Sequence, residues 1–559
     1  ELTADPMWYA VLALPALSNP QNESAVSWAA AYYANTLAKH IVDTHPRIRQ
    51  VFDGWKVQGG GAGHFMGRLQ QNQDLKNLLL EETPWVATAE NEVEQRRCLT
   101  ALFDINRMAN RLTADEEKLK ALQKSDGGWS WFEGMESNRY ITTEVMEMLS
   151  RLRTITGRPY SDSMKRLMDR ALAYLDKEAH EEYRSMLKQE REYPKTDRIP
   201  SETAVRYLYI RALCRRSSTL SQPDEDKAMV GYFLDRIAAR PASFTVYGKA
   251  VGAVVLYDYG RVAEAKEFLQ SLMEYSVATD EMGRYYDARK AYYSWCSYRM
   301  PTEVAAIEAI DRISKDRQAI QEMQRWILKQ KQTQCWATPI ASVNAIYALL
   351  NREENDWPTY AGDVKVKIGE TVVRTPTDDA LGYVRREVAT NDVDADRAVI
   401  EKNDEGISWG AVYAQYVADM REVRSQGEAL TVRRELVKDG RPVDGATDLH
   451  VGDRLTVRLT VTADRDMDFV QIKDGRAACM EPLDVLSGYR WNNGWGVYQS
   501  TKDASTLFYA DKMPKGTYTL EYQVYLTRAG KYLAGVAAIQ SAYAPEFGGH
   551  GDALTIEVK

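Results

Sequence analysis

The hydrophobic period of this chain changes once, near Trp357-Pro358, and that change limits what the chain can fold into. Upstream, apolar residues recur three and four positions apart: Val145, Met148, Leu149 and Leu152; Tyr247, Val251, Val254 and Val255; Val343, Ile346, Tyr347 and Leu350. Such spacing gathers one face of a helix, so each stripe predicts a helix buried on one side. Downstream the period is two, as in Val364, Val366 and Ile368, in Leu455, Val457, Leu459 and Val461, and in Tyr518, Leu520, Tyr522, Val524 and Leu526. Successive side chains of a strand leave on opposite faces, so this alternation predicts half-buried strands. One layer cannot serve both periods, and 559 residues with 44% hydrophobic content suffice for several cores. The prediction is a multidomain α and β chain, helices first and β-sandwich domains after.

Further helices are predicted over 203–214 and 286–299, so inward-facing helices return at intervals of roughly forty to sixty residues, as repeated helix pairs would. A barrel of helix pairs over 20–355 is the natural reading. Thr113 with Glu116, ahead of Leu119 and Leu122, fits a capping box that would start a helix after Leu112. Residues 430–559, closed by Leu554, Ile556 and Val558, predict an antiparallel sandwich, with a smaller connecting unit over 356–429.

The 72 basic against 80 acidic residues leave a net charge of -8, which offers no field for a phosphate backbone and argues against nucleic acid. Cys98, Cys214, Cys296, Cys335 and Cys479 stand singly, without a C-x-x-C pair, and predict small buried hydrophobes, not a disulfide framework or zinc site. No apolar run reaches the length of about 18 residues that a transmembrane helix needs. The chain opens abruptly at Glu1-Leu-Thr-Ala-Asp-Pro-Met-Trp8, inside what reads as a strand, so residues 1–19 are expected to be the end of a preceding β-rich domain and a lead-in segment. Any export signal or membrane anchor is expected upstream.

Candidate chemistry is sparse. Val57 to Arg68 is glycine-rich but lacks the Gly-Lys-Ser/Thr ending that holds phosphate, and reads as a surface loop. Glu81-Glu82 and Glu116-Glu117 are adjacent pairs, which leave a helix about a hundred degrees apart and do not converge on one bond. The six histidines, His40, His45, His64, His180, His450 and His550, form no H-E-x-x-H array, and no G-x-S-x-G elbow accompanies them. The unusual segment is Ser125-Asp-Gly-Gly-Trp-Ser-Trp-Phe-Glu-Gly134. There Gly127 and Gly128 permit a tight turn to which Trp129, Trp131 and Phe132 bring large apolar bodies. Either these aromatics lock a loop onto the helical barrel or they form a ligand platform. No cofactor, metal or catalytic residue is assigned.

That turn, leading into Arg139-Tyr-Ile-Thr-Thr143, resembles a loop in the thioester domain of bacterial alpha-2-macroglobulin-like proteins, especially the large Bacteroidetes members. Leu80-Glu-Glu-Thr-Pro-Trp85, Leu102 to Asn110 and Arg325-Trp-Ile-Leu-Lys-Gln330 are similar to that family as well. So are Asp474-Gly-Arg476, Glu481-Pro482, Ser487-Gly-Tyr489 and Tyr543-Ala-Pro-Glu-Phe547. The resemblance implies an alpha/alpha toroid over 20–355, a CUB-like connecting β unit over 356–429 and a C-terminal macroglobulin-like sandwich over 430–559. Active members carry Cys-x-Glu-Gln, whose cysteine thiol is acylated by the glutamine side chain. The resemblance puts that motif shortly before Tyr32-Tyr33-Ala34-Asn35, so Ser24 falls at the cysteine and Ser27 at the glutamine. Ser24 has no thiol and Ser27 no acyl carbon, and no cysteine precedes Cys98.

The implied function is an endopeptidase inhibitor or envelope defence protein that works without a covalent thioester, its partner a protease. The alternatives are an envelope scaffold that binds another protein and a toroid-fold glycan-processing enzyme. A periplasmic or outer-surface location is implied by the resemblance alone.

Overall fold

Helix α4, Arg139–Thr156, shows how the helical part is made. Asn138 caps it by accepting the Ile141 amide, Gly157 ends it at φ 63, and between them Ile141 to Leu152 are buried on every side. A helix buried all round must be inside a second layer of helices, and a computed structural model supplies that layer. It describes residues 2–3, 7–20, 22–44, 101–194, 198–217, 226–280, 282–286, 299–331, 336–351, 364–369, 371–374, 383–384, 397–403, 408–410, 419–492, 495–542 and 544–559. These fall in two compact units, one within residues 1–412 and one from Tyr413 onward.

In the first unit α1 is Met7–Ser18, α2 Ala25–Thr44, α3 Ile105–Leu122, α5 Asp162–Glu192 and α6 Glu202–Ser217. They are followed by α7 Lys227–Ala238, α8 Val246–Asp258, α9 Val262–Met273, α10 Arg299–Ile313, α11 Arg317–Lys329 and α12 Pro339–Leu350. The even-numbered helices form an inner ring: α2 packs on α4, α4 on α6, α6 on α8, α8 on α10, α10 on α12, and α12 returns to α2. The odd-numbered helices lie outside, α3 on α2, α5 on α4 and α6, α7 on α6 and α8, α9 on α8 and α10, α11 on α10 and α12. This is an alpha/alpha toroid. Outer helices are amphipathic, as the buried row Met164, Leu167, Met168, Ala171, Leu172 and Leu175 of α5 illustrates. Inner helices depart from the one-sided burial their stripes predict, since α8 is buried without a break from Val246 to Leu256. Each Val or Leu enclosed in that ring contributes roughly 2 kcal/mol of apolar stabilisation.

Three local readings need correction or fall away. The opening reads as strand, and Leu2–Thr3 does pair with Tyr383–Val384 and Trp409–Gly410. The rest of the lead-in is helix α1, packed on α2 and α12, and Pro15 sits inside it. Its uniform apolarity hides the helical period because both neighbours bury it. Thr113 is no cap: α3 is already under way, its first turn accepted by the Asp104 carbonyl, and the Thr113 hydroxyl donates back to Ala109 O at 3.0 Å. Of the helix expected over 286–299, Tyr286 instead ends the hairpin strand β3, Gly283–Tyr286, which pairs with β2, Ser276–Thr279; residues 287–298 lie outside the described residues.

Between toroid and sandwich in sequence, β4 (Val364–Ile368) pairs with β5 (Thr371–Arg374) and β7 (Ala398–Lys402), burying Val364 and Val366. Short strands β6, Tyr383–Val384, and β8, Trp409–Gly410, flank β1, Leu2–Thr3.

The second unit is an antiparallel sandwich. One sheet is built on β10 (Leu430–Lys438), β12 (Arg454–Ala463) and β18 (Gly516–Leu526), whose register sets Val457 between Leu436 and Tyr522. The other holds β13 (Met467–Gly475), β15 (Gly488–Asn492), β16 (Trp495–Thr501), β17 (Ser505–Met513) and β20 (Ala537–Ser541), with β15 at its edge. In β12 every second side chain is buried from Leu455 to Ala463. Asp474 ties the two sheets internally, accepting Arg434 Nη1 at 2.7 Å and Tyr522 Oη at 2.6 Å, so the Asp474-Gly-Arg476 segment is a buried polar staple.

Candidate functional site

The chain leaves α1 at Ser18 and enters α2 at Ala25, and the few residues between carry both serines singled out from the sequence. Ser24 occupies the N-cap of α2: its Oγ accepts the Ser27 amide at 3.2 Å, satisfying a donor that the first helical turn leaves orphaned. Ser24 Oγ donates to Ser27 Oγ at 3.1 Å, Ser27 Oγ donates to Asn22 Oδ1 at 2.9 Å, and the same Asn22 oxygen accepts the Ser24 amide at 3.0 Å. Both serines are buried, 7% and 3% exposed, so these protein partners replace water as their hydrogen-bonding environment. Among the described residues neither hydroxyl has a histidine or carboxylate partner that would make it a nucleophile. On the outer side of the cap, Trp28 Nε1 donates to Glu23, and Lys118 both pairs with Glu23 at 3.3 Å and lies over the Trp28 ring.

The glycine and tryptophan turn meets this cap. Trp131 O accepts the Ala25 amide at 3.2 Å, so the two segments chosen separately from the sequence are neighbours. Gly127 has φ +94, and a Cβ there would lie 2.3 Å from Arg170 O of α5; a Cβ on Gly128 would lie 2.7 Å from that of Ser137. The glycines therefore admit close packing. Trp129 is fully buried, with its Nε1 donating to Leu119 O and its amide to Thr142 Oγ1. Trp131 stacks on Tyr140 with centroids 6.3 Å apart, while Phe132, 45% exposed, reaches solvent. Of the two readings of this turn, the geometry gives aromatic packing to Trp129 and Trp131 and leaves only Phe132 at the surface.

A polar cluster absent from the sequence reading fills the axis of the inner ring. Arg151 of α4 pairs with Glu147 at 2.7 Å and Glu308 of α10 at 3.7 Å, and donates to Tyr209 Oη of α6 at 3.0 Å and Asn344 Oδ1 of α12 at 2.7 Å. Arg206 of α6 holds Glu144 and Glu147 at 2.7 and 2.8 Å. Arg312 closes the set by pairing with Glu308 and Asp258. Burial alone would lower the Arg151 pKa, but Glu147, Tyr209 and Glu308 reverse this and hold it well above its ordinary value. Burial likewise opposes ionisation of Glu308, and Arg312 with Arg151 overcomes it. These charges are locked as ion pairs. The only sequence signal was Glu144, Glu147 and Arg151 at helical spacing inside a buried stripe.

Other candidates separate. Glu116 accepts the Ser161 hydroxyl at the N-cap of α5 and Glu117 lies 3.8 Å from Lys120, so that pair does not converge. His180 contacts Asp226 at 3.0 Å, and among the described residues no three His, Cys, Asp or Glu side chains gather to hold a metal. Burial pushes the Cys214 thiol up to about 11. The glycine-rich 57–68 stretch, Glu81-Glu82, His45, His64, Cys98, Cys296 and Cys335 lie outside the described residues. No described helix is long and apolar enough to cross a membrane.

Residues 430–546 match the family model "Bacterial Alpha-2-macroglobulin MG10 domain". No curated protein matches the chain by sequence. Among solved structures, native alpha-2-macroglobulin from Escherichia coli, spanning domain MG7 to the C-terminus, is 13% identical at TM-score 0.35, with 100% of this chain and 76% of that one covered. Salmonella alpha-2-macroglobulin reacted with methylamine gives 13% identity and TM-score 0.35, with 100% of this chain and 31% of that one covered. The Salmonella Y1175G mutant gives 13% and 0.36 with the same coverage, so this chain spans about a third of those proteins. Over residues 430–546, the sandwich that follows the helical toroid in sequence, the chain thus matches the bacterial alpha-2-macroglobulin MG10 domain family.

Proposed function

We propose that this chain is the C-terminal part of an alpha-2-macroglobulin-like endopeptidase inhibitor of the cell envelope that holds its target without a covalent bond. The observation that carries the reading is the Asn22, Ser24 and Ser27 network. The positions assigned to the thioester cysteine and glutamine hold two hydroxyls that cap α2 and bond to one another. Acyl transfer requires a thiol and an acyl carbon at those positions. What remains for such a protein is entrapment: a protease cuts an exposed segment upstream, the protein compacts, and the protease is held by contact alone. Full-length protein offered proteases of differing specificity is expected to be cut at one segment and to become more compact by small-angle scattering, with protease retained and released on denaturation. Cleavage without compaction would refute entrapment.

The rival reading, an envelope scaffold that binds another protein, draws support from the β15 and β16 hairpin. Tyr489 and Trp491 of β15 are 67 and 77% exposed, as are Val485 and Leu486 in the loop before it at 66 and 75%, and exposed apolar surface of this kind marks binding sites. Glycan processing draws none, because Glu144, Glu147 and Glu308 are arginine-bound and sealed from water, whereas glycoside cleavage needs one carboxyl to give a proton and another to attack or activate water.

A further inference from the structure

Most buried carboxylates among the described residues have an arginine within ion-pair distance, but Asp115 of α3 and Glu303 of α10 have none. Glu144, Glu147, Glu308, Asp176 and Asp474 each face a guanidinium. Asp115, 4% exposed, accepts one hydrogen bond, from Asn35 Nδ2 of α2 at 2.7 Å, and no cation lies within ion-pair distance of it among the described residues. Asn35 is fully buried and its Nδ2 also reaches Ser18 O, the last residue of α1, at 3.4 Å. Its other polar atom, Oδ1, is a buried acceptor with no donor. An unpaired buried acceptor beside a carboxylate without an ion-pair partner is costly twice over. One proton resolves both: a protonated Asp115 can donate to Asn35 Oδ1 while still accepting from Nδ2, forming a doubly bonded acid and amide pair.

We propose that Asp115 and Asn35 form a proton-operated latch on the seam where α1, α2 and α3 meet, closing when Asp115 binds a proton. Independently of that geometry, burial pushes the Asp115 carboxyl up to about 6, against which the Asn35 hydrogen bond and the more distant Arg111 charge work. Other charged or titratable groups lie on the same helices. Tyr32 of α2 is raised by its own burial, Lys39 of α2 is paired with Asp43, and Glu116 of α3 is held by Ser161 of α5. Ser18 of α1 carries no charge.

The sign follows from linkage. The folded-state pKa is raised, so the folded protein binds this proton roughly a hundredfold more tightly than the unfolded chain, whose ordinary value is 3.8. The contribution is complete below the unfolded pKa and is lost as pH rises through about 6. Acid therefore tightens the seam that backs the Ser24 cap.

The test compares the whole chain with Asp115→Asn, whose amide supplies the missing donor at every pH. Thermal unfolding of the helical unit is expected to shift upward for the wild type relative to D115N as pH falls from 8 to 5. A wild-type minus D115N difference that stays flat across that range overturns the latch. Should D115N fail to fold, the side-chain carboxyl carbon shift of Asp115 in aspartate-labelled wild type decides: a midpoint near 6 is expected, and one near the ordinary 3.8 overturns it.

Discussion

The helical unit seals two polar clusters, and they are built in opposite ways. The cap at Asn22, Ser24 and Ser27 is uncharged and drawn from one short segment, each bond spanning five residues or fewer. The axial cluster is charged and assembled from five helices, with Arg151 reaching Asn344 across 193 positions of sequence. A hydroxyl that loses its local partner can turn to a neighbour, at modest cost. An ion buried on the axis has no such recourse, so removing one partner strands another. The comparison teaches that the cap can drift in sequence while the helix stays capped, whereas the axis holds the ring together as a set.

Several substitutions would break or sharpen that contrast. The largest effect is expected from Arg151→Met, which leaves Glu147 and Glu308 undercompensated in the ring. A loss of about 3–5 kcal/mol is expected in denaturant unfolding, and a loss below 1 kcal/mol would mean the network relaxes as freely as the cap. Gly127→Ala comes next, because its Cβ would enter the Arg170 carbonyl in a backbone conformation alanine disfavours. About 1–3 kcal/mol should be lost, together with the contact between Trp131 and the cap. Ser24→Ala removes only the N-cap and should cost about 1 kcal/mol, with Ser24→Asp recovering most of it. If Ser24→Ala costs as much as Arg151→Met, the cap has a role beyond ending a helix. Smallest of all, Tyr489→Ser with Trp491→Ser on the exposed hairpin should change stability by less than about 0.5 kcal/mol while weakening capture of a protein partner.

Much of this fold is legible in the sequence, and the failures have physical causes. The sandwich strands announce themselves because one face is buried and the other wet, as in β12. The stripes on α4, α8 and α12 correctly locate helices, yet they understate burial, since a helix enclosed on all sides needs no polar face. Helix α1 is missed for the same reason, compounded by Pro15, which usually argues against a helix interior. Thr113 misleads because its hydroxyl bonds back to the preceding turn as readily as it caps. At the candidate site, the serines and the tryptophan turn are each visible, but their meeting through Ala25 and Trp131 is not, because no local pattern encodes a contact across a hundred residues. The axial ion pairs are invisible for that reason, and only the coordinates join Arg151 to Glu308.

The central claim is that the segment before α2 is a closed helix cap with no thiol to carry an acyl group. Intact mass of the full-length protein before and after methylamine, beside a thioester-bearing relative, tests it most directly. The account predicts no adduct and no thiol released, while the relative gains one methylamine per chain. An adduct on this protein, mapped to any residue between Asn22 and Asn35, would contradict it.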